Sequence, residues 1–85
     1  MSDIEARFAQ AQKDSVALTQ RPDNSTMLKL YALYKQATHG DVSGDAPGSF
    51  DFIRRAKFDA WSAIKGTTAE TAMQQYIDLV DSLRR

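Results

Sequence analysis

Apolar residues recur along this chain at steps of three and four, the spacing that gathers side chains on one face of an α-helix. The first stripe runs Ile4, Phe8, Ala11, Ser15 and Leu18, with one polar member, Ser15. Ser2 and Glu5 have the Ser-x-x-Glu spacing of a capping box, which predicts a helix start there. The stripe should end before Arg21-Pro22, because proline disfavours helical geometry in the residue preceding it. A second helix is predicted over the periodic stretch Met27 to Thr38, with Asp23, Asn24 and Ser25 as candidate caps and Gly40 just past its end.

The segment GDVSGDAPGS, Gly40 to Ser49, carries three of the four glycines and a Pro47-Gly48 turn signal. A loop of about ten residues is long for so small a chain. Asp51 can cap a third helix with Ile53, Ala56, Ala60, Trp61 and Ile64 at helical spacing, closed by Gly66. Thr67 and Glu70 repeat the capping-box spacing before the most regular stripe: Ala69, Ala72, Met73, Tyr76, Ile77, Val80 and Leu83. Arg84 and Arg85 suit the negative end of that helix. No segment alternates as a strand would, so the expected class is all-α with four helices.

Composition narrows what such a protein can do. The 85 residues make one small domain, 1–85, with a thin stability margin. No cysteine is present, which excludes disulfides and thiolate metal sites and is consistent with a reducing compartment. The single histidine, His39, cannot build a multi-histidine site. Eleven basic and eleven acidic residues cancel, so no global field draws the chain to nucleic acid or an anionic membrane. The first residues, MSDIEARF, have neither a basic leader nor an apolar core, and no apolar run approaches a membrane span. A cytoplasmic protein without stable membrane insertion is expected.

Catalytic signatures are missing: there is no phosphate-binding glycine loop, no His-Glu-x-x-His and no nucleophile elbow. Asp81-Ser82-Leu83 matches the tripeptide that carries phosphopantetheine in acyl carrier proteins, but at a helix end rather than a helix start, and reads as coincidence. His39 reads as a residue at a helix C-terminus. Phe58 and Trp61 read as core, and Arg54, Arg55 and Lys57 as a solvated basic cluster. Tyr31 and Lys35, four apart, share one helical face. They are either a core ring beside a solvated charge or part of a site.

The order and spacing of several motifs go beyond periodicity. YKQAT at 34–38 followed by Gly40-Asp41, APG at 46–48, AKFDAW at 56–61, Lys65-Gly66 and AMQQYIDLV at 72–80 together resemble the acyl-CoA-binding protein family, from Phe8 to about Leu83. The resemblance implies a four-helix bundle in up-down-down-up order, with a long connection between the second and third helices. It also implies that Tyr31, Lys35, Lys57 and Tyr76 hold the 3′-phosphate-adenosine head of a coenzyme A ester, and that Met27 and Leu28 line a groove for the acyl chain. Residue chemistry agrees, since lysine and the phenol hydroxyl both donate to phosphate and a phenol ring can stack on adenine.

Four positions depart from the family pattern. Val16 and Ile53 stand where many relatives carry lysine, leaving Arg54 or Arg55 to compensate. Phe58 replaces a commoner tryptophan. Ser15 stands where relatives have an aliphatic residue, so Ser15→Val is expected to add about 1 kcal/mol of stability. The resulting expectation is a monomeric, non-enzymatic carrier and pool buffer of long-chain acyl-CoA that uses no cofactor and binds no nucleic acid. The rival is a small helical protein-interaction module whose tyrosines and lysines are merely core and surface.

Overall fold

The computed structural model describes residues 3–84 and builds them into four helices: α1 (Asp3–Val16), α2 (Asn24–Thr38), α3 (Phe52–Ser62) and α4 (Ala69–Leu83). No strand occurs among the described residues. The protein is an all-α four-helix bundle, with the long connection between α2 and α3. Ser2 of the expected first capping box and Arg85 of the last turn lie outside the described residues.

Local chemistry sets the helix ends and moves three of them from their expected places. α1 stops at Val16, so Leu18 lies beyond it. There the Ser15 hydroxyl donates to the Gln12 carbonyl at 2.8 Å, and Ala17 N–H bonds Asp14 O at 3.1 Å in a tighter three-residue turn. α2 is capped by Asp23, whose carboxylate accepts from Thr26 N–H at 2.8 Å. That bond, followed by one to the Thr26 side chain, holds the Asp23 carboxyl below its ordinary value. Gly40, at φ +86°, takes the left-handed turn past α2.

Asp51 caps α3 as expected, but the helix ends at Ser62 rather than running to Gly66. Three-residue turns through Ile64, Lys65 and Thr67 carry the chain around, and Gly66 at φ +93° reverses it. The cap of α4 is Thr68, not Thr67, and its hydroxyl accepts from Thr71 N–H at 3.2 Å. Thr67 instead gives its carbonyl to Gln36.

Packing follows an open row, α1 on α4, α4 on α2, α2 on α3. The thinnest dimension of the molecule is 15 Å, against 38 and 31 Å for the others. The buried cluster is Phe8 and Ala11 of α1, Leu33 and Ala37 of α2, and Ala72, Tyr76 and Val80 of α4. The Tyr76 ring meets Phe8 edge-on at 5.1 Å, and Tyr34 stacks on the same phenylalanine at 6.3 Å. α3 contributes no fully buried residue, so Phe58 and Trp61 are half-buried rather than core.

A polar knot ties α3 to the rest. Gln36, only 1% exposed, donates its amide to Asp41 Oδ1 at 2.7 Å and to Thr67 O at 2.8 Å. Trp61 Nε1–H is shared between Gln36 Oε1 at 3.1 Å and Gly40 O at 2.9 Å. Gly66 N–H donates to Asp41 Oδ1 at 2.8 Å. The Gly66 bond first, and the Gln36 bond second, hold the Asp41 carboxyl below its ordinary value. Gln36, Gly40, Asp41, Trp61 and Gly66, all within the motifs named above, therefore close the loop and the α3–α4 turn onto one point.

Candidate functional site: a cationic cleft between α2 and α3

Among the helices α3 packs only on α2, and a cleft of about 620 Å³ lies between the N-terminal halves of the two. That volume lies in the range of about 300–1,000 Å³ common to small-molecule sites. α2 supplies Met27, Leu28 and Tyr31, and α3 supplies Phe52, Ile53 and Ala56 as the apolar wall. Its polar groups are Asn24, Arg21 and Lys57. Among the described residues two cations line it and no carboxylate does, although the chain as a whole carries equal numbers of each. By contrast, the groove between α1 and α4, about 280 Å³, mixes Arg7 and Arg84 with Asp14, Asp78 and Asp81.

Met27 and Tyr31 also border a second recess of about 300 Å³, reached past Val16 and Tyr34. Tyr76 closes its floor: the phenol donates to Ser15 Oγ at 3.2 Å, and Ser15 passes the bond on to Gln12 O. Lys57 Nζ sits over the Tyr31 ring, 5.3 Å from its centre. Lys35 Nζ, one turn further along α2, sits 5.1 Å over the Trp61 ring. Cation–π contacts of this kind hold an ammonium in place without neutralising it.

The sequence-predicted residues are thus distributed in three places. Tyr31, Lys57, Met27 and Leu28 surround the cleft. Tyr76 lies in the adjoining recess, which shares Tyr31 and Met27. Lys35 lines neither, standing above Trp61 on the Tyr31 face of α2. Of the two departures at expected lysine positions, Ile53 is 73% exposed in the cleft wall and Val16 is 88% exposed at the recess. The expected compensators are engaged elsewhere: Arg54 pairs with Asp51 at 3.3 Å, and Arg55 with Asp59 at 3.4 Å. Neither lines the cleft.

Sequence reasoning missed Arg21, Asn24, Phe52 and Ala56 as lining residues. Arg21 served only to mark a helix end. Its one visible signal was its place six residues before Met27, at the approach to the groove. Phe52 stands four residues before Ala56, the step that puts both on one helical face, and that spacing was its visible signal.

The fold and the cleft together define an all-α domain with an open apolar groove lined, among the described residues, by two cations and no carboxylate. The family model for "Acyl CoA binding protein" matches residues 5–80. The chain is 48% identical over 66 residues to Acyl-CoA-binding domain-containing protein 6 of Arabidopsis thaliana, covering 78% of this chain and 72% of that protein. It is 49% identical over 76 residues to Enoyl-CoA delta isomerase 2 of Rattus norvegicus, covering 89% of this chain but only 19% of that protein. Its fold matches the crystal structure of Oryza sativa Acyl-CoA-Binding Protein 2 with a TM-score of 0.90 and 39% identity, over 94% of this chain and 87% of that one. The chain belongs to the acyl-CoA-binding protein family, and it spans about a fifth of the length of the isomerase relatives it matches. Among the described residues no helix is long and apolar enough to cross a membrane.

Proposed function

We propose that residues 1–85 act as a single domain that binds long-chain acyl-CoA and serves as a monomeric cytoplasmic carrier and pool buffer, with no catalytic step. Tyr31, Lys35, Lys57 and Tyr76 hold the 3′-phosphate-adenosine head, and Met27 and Leu28 begin the acyl groove. The observation that carries this reading is the cleft itself, where an apolar wall meets Lys57 poised on Tyr31 and no described carboxylate competes. An acyl chain of about fifteen methylenes gains roughly 0.8 kcal/mol for each that leaves water, so a carrier must offer comparable apolar cover to compete with membranes.

Titration calorimetry with palmitoyl-CoA, palmitate and free coenzyme A tests it. Saturable binding is expected for the ester, tighter than for either fragment, and none for any of the three if the domain is a protein-interaction module. Lys35→Ala should weaken palmitoyl-CoA binding by roughly ten- to a hundredfold, the worth of one hydrogen bond to a charged group. Palmitoyl-dephospho-CoA, which lacks only the 3′-phosphate, should bind mutant and wild type alike. An equal loss against both esters would place Lys35 elsewhere on the ligand.

A further inference from the structure

The cleft holds a cation whose charge nothing else uses. Arg54, Arg55 and Arg84 each face a carboxylate at 3.3 to 3.4 Å. Lys35 and Lys57 rest on aromatic rings. Arg21 has neither: among the described residues its guanidinium donates only through Nε to the Met27 thioether, at 3.4 Å. Sulfur of that kind is a weak acceptor, so the rest of the donor fork is free.

We propose that Arg21 binds the diphosphate of the coenzyme A ester, supplying a cation to the ligand where Val16 and Ile53 offer none. The inference rests on the acyl-CoA reading above. A CoA ester carries two anionic groups, the 3′-phosphate and the 5′-diphosphate. With the first at Tyr31 and Lys35, the second lies toward the acyl chain and hence toward Met27. Met27 is one helical turn, about 6 Å, before Tyr31, and the Arg21 guanidinium reaches its sulfur at 3.4 Å. A planar guanidinium can grip two phosphate oxygens at once, which the apolar side chains of Val16 and Ile53 cannot. Arg54 and Arg55 are excluded by their carboxylate partners and by their absence from the cleft wall.

Calorimetry on the full chain with three esters separates the possibilities. Arg21→Gln and Arg21→Met should each weaken binding about tenfold against palmitoyl-CoA and palmitoyl-dephospho-CoA alike, since both keep the diphosphate. Arg21→Lys should recover part of the affinity. S-palmitoyl-pantetheine, which has no phosphate, should show no difference between wild type and variants, whether it binds well or hardly at all. Three results overturn the assignment: unchanged affinity of Arg21→Gln, a weakening confined to palmitoyl-CoA, or wild-type affinity in Arg21→Met. The second would move Arg21 to the 3′-phosphate, and the third would reduce it to packing by its stem. Failure of the wild type to bind palmitoyl-CoA would instead overturn the acyl-CoA reading, so the two failures are told apart.

Discussion

Ser15 stands between two partners, accepting from the Tyr76 phenol at 3.2 Å and donating to the Gln12 carbonyl at 2.8 Å. On sequence alone it is a polar blemish that valine would repair. With the partners visible the sign reverses. Valine still gains about 1 kcal/mol of apolar burial. It also strands the hydroxyl of a tyrosine that is only 6% exposed, a penalty of about 1–3 kcal/mol. Ser15→Val should therefore lower the urea-unfolding free energy by about 1 kcal/mol. Adding Tyr76→Phe should remove most of that deficit, because the stranded group goes with it. A gain in stability for the single variant would show that the Ser15–Tyr76 bond contributes nothing. Such a bond is illegible in sequence because it joins residues 61 positions apart.

At the scale of elements, Gln36 decides how α3 is held. It is a polar side chain inside the α2 face that packs the core, and it bonds the loop, the α3–α4 turn and the Trp61 indole together. Gln36→Leu keeps the volume but leaves the Thr67 carbonyl without its donor and frees one side of Trp61. A cost of about 2–3 kcal/mol is expected in urea unfolding, with a change in Trp61 fluorescence before the global transition. Coincident transitions and an unchanged midpoint would deny the knot this role. The four helices and the Asp51 and Gly40 boundaries were legible because periodicity and capping act within a few residues. Where two chemically equal caps sit side by side, as at Thr67 and Thr68, the choice falls to a distant partner: Gln36 takes the carbonyl of the first. The cleft was legible in part for the same reason. Tyr31 and Lys57 carry motif chemistry, whereas Arg21 becomes a cleft residue only through the fold.

For the whole molecule, two carboxylates tie acid stability to backbone N–H donors: Asp23 at the start of α2 and Asp41 in the knot. Both have folded-state values below their unfolded ones. Their contribution is thus fully present above the ordinary carboxylate value of 3.8 and is lost as pH falls through the lowered folded values. Asp41→Asn keeps one acceptor oxygen but does not titrate. The stability gap between wild type and this variant should be widest near neutrality and close steadily below the ordinary value, read from urea midpoints across an acidic pH series. A gap that stays constant would mean that the Asp41 charge is not what the Gly66 and Gln36 donors stabilise. The row of helices behind these bonds also separates two kinds of selection. Stability resides in α1, α2 and α4, which hold the buried cluster, while one wall of the cleft belongs to α3, which buries nothing fully. Changes at Phe52 or Ile53 therefore alter the cleft without first passing through the fold. Because Ile53 is 73% exposed, a polar or charged side chain can stand there at almost no folding cost, and the lining of the cleft can drift while the scaffold stays as it is.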